Sequence, residues 1–330
     1  VTGITKTASL DGRKYNIAVG QIDIGNVASD MTLKMVGGVP QADGTVKPEP
    51  RMAMDNVVST FLMMAKLPPE ANILNVTVMA TAMPFVTLGE AMTLFVAETP
   101  GPLEGVMRFT KRTAGAETNV AIGLARLGFK VGWQSRLGAD SMARYLLGAI
   151  GGEGVDCSHV TCHADERTAF MFKGRVEDGS DPPVEYHRKG SAASRFGPEH
   201  LDEAQIVRAR HLHVSGVFTA LSASTLAATR RAMAVAREHG KTIGFDPNLR
   251  PTLWPSHEAM RETINDLAAH ADWVLPGIEE GRLLTGHDTP EAVARFYREC
   301  GAKRVVVKLG ADGAYFDDVD AGCGRVAAFP

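Results

Sequence analysis

Several short stretches of the chain carry polar and basic side chains of the kind that hold small anionic ligands. Tyr186 and Arg188 are two residues apart in the stretch VEYHRKGSA, so on a strand both project from the same face. The phenol of Tyr186 can bond a hydroxyl group, and the guanidinium of Arg188 can bind a carboxylate. The pair therefore suits a ligand with both hydroxyl groups and an acid. The alternative is a solvated arginine beside a half-buried tyrosine.

Two further groups follow apolar runs later in the chain. The run TIGFD ends at Asp246, and Arg250 follows where its guanidinium can reach a phosphate or a carboxylate. Asp246 has two open roles, as a ligand contact or as the cap of a turn. In KLGADG, Gly310 and Gly313 expose bare backbone that can lie against an adenine or a phosphate, and Lys308 adds positive charge.

The elements that position these residues follow from the hydrophobic pattern after Val86. Short Val/Ile/Leu-rich runs alternate with Ala/Arg/Glu-rich amphipathic runs, which predicts a parallel sheet covered by helices. Such α/β sheets bind ligands at the carboxyl ends of their strands. That rule selects Ser215 and the ranges 246–250, 277–280 and 308–313. The segment 167–194 interrupts the alternation and predicts a hairpin that projects from the sheet.

Residues 1–84 do not follow this alternation and predict a different order of elements. They predict a helix, a strand in KYNIAVGQIDIG, a loop over 39–50, a helix over 54–66 and a strand in ILNVTVMA. The apolar stretch 73–96 contains Asn75, Pro84 and Glu90, so we interpret it as two or three buried strands rather than a membrane span. From this order of elements, residues 1–84 read as the end of an α/β fold.

Composition narrows the classes of partner. The 330 residues are 45% hydrophobic and 22% charged, with a formal net charge of -3. Such a chain buries a sizeable core and offers no basic field for nucleic acid or anionic membrane. The four cysteines have no metal-site spacing and are interpreted as reduced thiols. The start of the sequence has no secretory signal pattern, so we expect a cytoplasmic protein.

The first 84 residues resemble the C-terminal part of a short-chain dehydrogenase/reductase, and this resemblance implies a partial Rossmann-type α/β fragment. The resemblance lies in VTGITKTASLDGRKYNIAVGQIDIGNVASDMT, which is similar to the helix after that family's catalytic Tyr-Lys pair and to the loop after its sixth strand. The family's Gly-rich dinucleotide turn and Tyr-x-x-x-Lys motif would both precede Val1. We therefore expect no reductase activity from this segment.

Residues 86–330 resemble the ribokinase-like (PfkB) sugar kinases, and among them the kinases of 2-keto-3-deoxygluconate. Seven stretches match in order: VTLGEAMTLFV, AGAETNVAIGLARLGFKVGWQSRLGADSMARYL, EYHRKGSA, HLHVSGVFTALS, FDPNLRPTLW, LPGIEEGRLLTG and VVVKLGADGAY. The resemblance implies a ribokinase-like α/β fold with a projecting β lid. It also implies phosphorylation of a keto-deoxy sugar acid by ATP with Mg²⁺, and leaves a homo-oligomer formed through the lid as an option.

The resemblance assigns substrate contacts to five residues, namely Gly115, Asn119, Tyr186, Arg188 and Arg250. For the stretch 114–116, a tight turn into the following helix is the alternative to ligand contact. Glu90 has two open roles, bonding a sugar hydroxyl or pairing with a cation.

Nucleotide contacts are assigned by resemblance to Asn248, Arg250, Gly277, Lys308, Gly310 and Gly313. The family often has Asn-x-x-Glu where this chain has Gly277 and Glu280, and the glutamate of that motif helps to organise the water shell of phosphate-bound Mg²⁺. Glu280 is thus expected to act indirectly on the metal. The alternative is that Glu279 and Glu280 are ordinary acidic residues in the first turn of a helix.

The catalytic aspartate of the family lies in a Gly-Ala-Gly-Asp motif at a helix start. That motif is expected beyond Pro330, so no catalytic residue is assigned within the chain and its turnover is expected to be impaired. The functional expectation is ATP-dependent conversion of 2-keto-3-deoxygluconate to its 6-phosphate. The alternatives are a neutral-sugar kinase of the fructokinase or ribokinase type, and an inactive fusion fragment that only binds ligand.

Overall fold

The structure, a computed structural model, divides the chain into two compact units. It describes residues 2–15, 17–27, 29, 32, 39–40, 46–47, 52, 54–68, 71–78 and 85–328. The first unit covers Val1–Ala82 and the second covers Met83–Pro330. None of the described helices is long and apolar enough to cross a membrane. The two units are described separately below.

The first unit contains short elements and little core. In chain order these are α1 (Thr2–Gly12), β1 (Gln21–Ile24), β2 (Val39–Pro40), β3 (Val46–Lys47), α2 (Met54–Ala65) and β4 (Asn75–Val78). Strands β1 and β4 pair in parallel, with Gln21 opposite Asn75. The expectation that this part of the apolar stretch forms a buried strand is wrong, because the residues of β4 are exposed or half-buried.

The second unit is built from thirteen strands and eight α-helices, with five short 3-10 helices between them, within residues 85–328. The strands are β5 (Phe85–Leu88), β6 (Met92–Ala97), β7 (Phe109–Ala114), β8 (Val131–Gly138), β9 (Val160–His163), β10 (Phe170–Lys173), β11 (Val184–His187), β12 (His211–Ser215), β13 (Thr242–Asp246), β14 (Trp273–Val274), β15 (Arg304–Lys308), β16 (Ala314–Asp318) and β17 (Gly322–Val326). The helices are α3 (Ala116–Arg126), α4 (Ser141–Gly152), α5 (Glu203–Arg208), α6 (Gly216–Thr219), α7 (Ala223–Glu238), α8 (His257–Ala268), α9 (Ile278–Thr285) and α10 (Pro290–Glu299).

The main sheet of this unit has nine strands in the order β17-β16-β15-β14-β13-β12-β5-β8-β9. Its strands run parallel from β9 to β15, and β16 and β17 add an antiparallel edge. The predicted mostly parallel sheet with helices is therefore confirmed. All parallel strands end at one edge, which gathers the residues after β12, β13 and β15.

The projecting hairpin is confirmed as part of a separate sheet. Strands β10 and β11 pair antiparallel, β6 pairs with β10 in parallel, and β7 completes the order β11-β10-β6-β7. We call this four-stranded sheet the lid. Because β6 and β7 also belong to it, the lid includes residues from both ends of the sequence stretch 92–187, and not only the hairpin that the sequence predicted.

Local signals explain where the helices begin. Ser256 and Thr289 cap α8 and α10, since their hydroxyl oxygens accept the N–H groups of Ala259 and Ala292 at 3.1 and 3.3 Å. Strand β12 ends at Ser215, and α6 begins at the next residue, Gly216. A β-carbon on Gly216 would lie 2.1 Å from the carbonyl oxygen of Pro247, so the chain after β12 passes directly over the loop after β13. Only glycine permits this close approach.

The two units differ in burial, which generates a prediction about their stability. Among the described residues of the first unit, Met52 is the one buried apolar side chain, whereas Phe61, Leu62 and Met63 of α2 are exposed. In the second unit, Trp133, Phe196, Phe245 and other large side chains are fully buried. Burial of apolar area is the main term that offsets the conformational entropy gained on unfolding. Because the first unit buries little apolar area, we expect it to be the less stable of the two.

We therefore predict that limited chymotrypsin digestion of the whole chain cuts first at the exposed Phe61–Met63 segment, because low-stability regions open most often. Mass spectrometry of the fragments at successive times measures the order of cleavage. The second unit should persist as the large fragment. Initial cleavage at equal rates in both units would contradict this account of their stability.

Candidate functional site

A cavity of about 370 Å³ lies between the lid and the carboxyl ends of the main-sheet strands. Strands β10 and β11, the turn between β7 and α3, the start of α6 and the loop after β13 all contribute to it. Six of the residues predicted from sequence line this cavity: Gly115, Asn119, Tyr186, Arg188, Asn248 and Arg250. The structure thus brings together residues that lie up to 135 positions apart in the chain, from Gly115 to Arg250.

Gly115 allows the lid and the main sheet to approach each other. It is the last residue before α3, and a β-carbon there would lie 2.6 Å from the carbonyl oxygen of Glu90 and 2.4 Å from the hydroxyl of Thr118. The turn is therefore tight for a steric reason, as the structural alternative proposed. Because Gly115 also lines the cavity, the turn and the ligand site are one feature.

Arg188 and Glu90 form a buried ion pair at the cavity wall. Nη2 of Arg188 lies 2.6 Å from Oε2 of Glu90, and only 9% and 3% of their side chains are exposed. The hydroxyl of Ser191 donates to Oε1 of Glu90 at 2.9 Å. Burial raises the pKa of Glu90, while the positive charge of Arg188 opposes this shift. Of the two roles left open for Glu90, the structure shows pairing with a cation.

The guanidinium of Arg188 has an N–H donor that the ion pair with Glu90 does not use. Its Nε is buried and has no hydrogen-bond partner among the described residues. Its central carbon lies 5.7 Å from the centre of the Tyr186 ring, within range of a cation–π contact. A buried N–H without a partner is unfavourable, so a ligand acceptor at this position would be stabilising.

Glu117 is a second buried carboxyl in the cavity, and the sequence analysis did not identify it. The residue is 1% exposed, and its Oε1 accepts the hydroxyl hydrogen of Ser215 at the end of β12. Burial raises the pKa of Glu117 to about 7, although the hydrogen bond from Ser215 lowers it in part. The available signal was an acidic residue in the AGAETN turn, two positions before the predicted contact Asn119.

Lys173 is the other ionisable cavity residue that the sequence analysis missed. It ends β10 in the lid and lines the cavity with its side chain half-buried. Within residues 85–328 its amine has no ion-pair partner. The cavity therefore receives positive charge from Lys173, Arg188 and Arg250, of which only Arg188 is paired with a carboxylate.

The loop after β13 is held by side-chain contacts on both sides. Oδ1 of Asp246 accepts the N–H of Asn248 at 3.2 Å, so Asp246 caps the turn. The amine of Lys308 lies 2.9 and 2.8 Å from the two carboxylate oxygens of Asp246. Asn248 has a backbone φ of 36°, a conformation that asparagine tolerates better than most residues. These contacts fix the direction in which Asn248 and Arg250 face the cavity.

Glu280 joins this loop to the start of α9. Its Oε2 accepts the N–H of Gly277 and its Oε1 accepts the N–H of Leu249, both at 2.7 Å. Each oxygen is therefore engaged with the backbone. A direct metal bond would compete with these contacts, whereas the indirect role predicted from the sequence stays a prediction.

The remaining predicted nucleotide residues lie outside the cavity. Gly277 and Lys308 pair across two strand ends, and the N–H of Lys308 donates to the carbonyl of Pro276 at 2.8 Å. Gly313 donates to the carbonyl of Gly310 at 3.1 Å in a tight turn. Gly313 has a φ of 90°, and a β-carbon there would lie 2.0 Å from the Val326 carbonyl oxygen. Glycine is therefore required at position 313 for a steric reason, in addition to the predicted contact with a ligand.

The mostly parallel nine-stranded sheet, the separate lid and the charged cavity between them define a ribokinase-like kinase fold. The chain belongs to the pfkB family of carbohydrate kinases, whose model matches residues 85–330. Residues 1–84 lie outside that match, so their resemblance to a reductase stays a prediction. The catalytic function of the second unit is accordingly that of a carbohydrate kinase.

Three known proteins illustrate the relationship. The chain is 49% identical over 232 residues to the 2-dehydro-3-deoxygluconokinase of Bacillus subtilis, covering 70% of this chain and 71% of that protein. The crystal structure of a PfkB protein from Polaromonas sp. JS666 is 66% identical, with a TM-score of 0.72, over 76% of this chain and 84% of that one. A putative ribokinase II from E. coli in complex with ATP and Mg²⁺ is 25% identical, with a TM-score of 0.69, over 76% and 79%.

The buried ion pair generates a prediction about stability. Arg188→Met leaves the Glu90 carboxylate buried without its cation and should lower the free energy of unfolding by about 3 to 5 kcal/mol. In the double variant with Glu90→Gln, the loss should be smaller than the sum of the two single losses, because the variants share one interaction. Urea denaturation of the four proteins measures this. Additive losses, equal within about 0.5 kcal/mol, would contradict direct coupling.

Glu117 generates a prediction about pH. Its pKa of about 7 in the folded protein lies above the ordinary value of 4.5, so the stabilisation from its neutral form is complete below pH 4.5 and is lost as the pH rises through 7. Glu117→Gln cannot ionise. Between pH 5 and pH 8.5 the variant should therefore gain about 2 to 3 kcal/mol relative to the wild type. Denaturant titrations at both pH values test this, and a constant difference would refute the shifted pKa.

Proposed function

We propose that the second unit binds 2-keto-3-deoxygluconate in the cavity for phosphorylation of its 6-hydroxyl group by ATP. The observation that carries the proposal is the convergence of Lys173, Arg188 and Arg250 on a cavity of sugar size. An anionic substrate requires such cations, and a neutral sugar does not. The 49% identity to a 2-dehydro-3-deoxygluconokinase supports the same substrate class.

The polar residues of the cavity have complementary roles in this proposal. The amide of Asn119 can both donate to and accept from sugar hydroxyls, and the phenol of Tyr186 can bond another. The free Nε of Arg188 can donate to the sugar carboxylate, and Lys173 adds an unpaired positive charge from the lid. The substrate would therefore be oriented by contacts with both the lid and the main sheet.

A neutral sugar, such as fructose, is the second candidate. The observation in its favour is the ion pair itself, because Glu90 neutralises much of the charge of Arg188 before any ligand binds. A sugar with only hydroxyl groups could then bond Asn119 and Tyr186 without an acid-binding contact. The two candidates differ in whether Lys173 and Arg250 contribute to affinity.

ATP would lie beside the ends of β14 and β15, near Gly277, Lys308, Gly310 and Gly313. No atom lies within 4 Å of a β-carbon placed on Gly310, so its backbone is open on one side to a ligand. The Lys308 amine is bound by Asp246, and it would have to share its charge with a phosphate. Mg²⁺ would neutralise phosphate charge in the transfer, and Glu280 fits only a role through bound water.

Neither cavity carboxyl is arranged as the base that removes the hydroxyl proton. Glu90 is engaged by Arg188 and Ser191, and Glu117 is enclosed beside Ser215. A positioned general base contributes about 10² to 10⁴-fold to such a reaction. The residues described in this cavity therefore account for binding and orientation of a substrate, and the base is a separate requirement of the proposal.

The proposal predicts the binding of two sugars by variants of the cavity. Arg188→Ala should weaken binding of 2-keto-3-deoxygluconate by about 2 to 4 kcal/mol and leave ATP affinity nearly unchanged, since it removes a charge-assisted partner of the sugar acid. Lys173→Met should weaken binding of the sugar acid by about 1 to 3 kcal/mol and have little effect on the binding of fructose. Isothermal calorimetry measures all of these affinities.

A control separates recognition from local damage. Arg188→Ala alone leaves Glu90 unpaired, so the double variant Arg188→Ala/Glu90→Ala is measured beside it. Both variants should lose the preference for the acid over fructose. Wild-type affinity for fructose equal to that for the sugar acid would favour the second candidate, and unchanged acid binding in Arg188→Ala would remove Arg188 from the site.

A further inference from the structure

The proposed function leaves Glu117 without a task, although this residue lines the cavity. Its carboxyl is held in one position from two sides. Ser215 donates to Oε1, and a β-carbon on Gly89 would lie only 2.1 Å from its Cδ, so the backbone of residue 89 packs directly against the carboxyl group. A carboxyl so confined cannot turn away from a ligand when it becomes charged.

The charge state of Glu117 sets the charge that a ligand meets. Lys173, Arg188 and Arg250 are cations and Glu90 is a carboxylate, so the cavity has a net charge of +2 while Glu117 is neutral and +1 once it ionises. Glu117, Glu90 and Arg188 are buried, and interactions between buried charges are screened less by salt than those at the surface. The unpartnered Nε of Arg188, in a side chain that is 9% exposed, indicates that this wall receives a ligand acceptor.

The two histidines on the strand next to Glu117 do not titrate between pH 6 and pH 8. His211 and His213 on β12 are buried, which lowers the pKa of each to about 4, so both are neutral in this range. Strand β5 carries no titratable residue, and the one on β8, Arg136, is bound by Glu166. The remaining groups are Arg188 and Glu90, which form an ion pair. Burial also raises the pKa of Glu90, so the variant Glu90→Gln is included in the test below.

We propose that Glu117 is a specificity-determining residue whose neutral form admits the carboxylate-bearing sugar and whose ionised form opposes it. The inference rests on the proposed function, since it concerns an anionic substrate in the same cavity. Burial raises the pKa of Glu117 to about 7, which puts its ionisation near neutral pH. The sugar acid itself stays ionised, because carboxyl groups next to electron-withdrawing groups ionise below about pH 4.

The test measures affinity at two pH values by isothermal calorimetry with the whole chain. If only the neutral form binds well, the dissociation constant for 2-keto-3-deoxygluconate should rise about tenfold between pH 6 and pH 8, in proportion to the loss of the competent form. Glu117→Gln should bind equally at both pH values, near the wild-type level at pH 6. Glu185→Gln, an exposed lid carboxylate outside the cavity, should keep the wild-type pH dependence.

A second variant moves the transition instead of removing it. Ser215→Ala deletes the donor that favours the ionised carboxylate, so the pH at which affinity falls should move upward. A purely structural role for Glu117 would not produce this shift. Fructose, which carries no charge, should show a smaller change with pH than the sugar acid.

Four results separate the possible failures. The inference is overturned if Glu117→Gln keeps the pH dependence, or if Glu90→Gln abolishes it while Glu117→Gln does not. It is also overturned if the wild type binds the acid equally at both pH values. Absence of sugar-acid binding at either pH, with fructose binding intact, overturns the proposed function and this inference with it.

Discussion

The ion pair between Arg188 and Glu90 is the contact on which the site depends. It joins the end of the lid strand β11 to the turn between β5 and β6, and Ser191 completes the shell of the carboxylate. A buried charge without a partner would be strongly destabilising, so neither residue can leave this position independently. The pair therefore fixes the lid wall of the cavity, and it leaves one N–H of Arg188 for a ligand.

The opposite wall is fixed by equally specific contacts. Glu280 accepts backbone N–H groups from Leu249 and Gly277, and Asp246 is bound by Lys308 and by the N–H of Asn248. The loop that carries Arg250 is thus tied to the start of α9 and to the end of β15. Sites held by such a network keep their geometry before ligand arrives, which reduces the entropy lost on binding.

The sequence predicted the ends of the strands better than the contacts between side chains. Strand patterns located Ser215, Asp246 and Lys308, because apolar runs followed by turn residues depend on local order in the chain. The predicted set did not include Glu117, whose partner Ser215 is 98 positions away. The sequence also could not decide whether Glu90 bonds a sugar hydroxyl or pairs with a cation. Such pairs form only when the lid and the main sheet come together. A single sequence does not show which residues far apart in the chain will then be in contact.

A structure of the chain bound to 2-keto-3-deoxygluconate tests the central claim most directly, namely that this cavity recognises an acid between lid and sheet. The account predicts the sugar carboxylate within about 3 Å of the side-chain nitrogen atoms of Arg188, Lys173 or Arg250, with Asn119 and Tyr186 bonding hydroxyl groups. A sugar bound in the cavity with its carboxylate directed into solvent, or a sugar bound elsewhere, would contradict it.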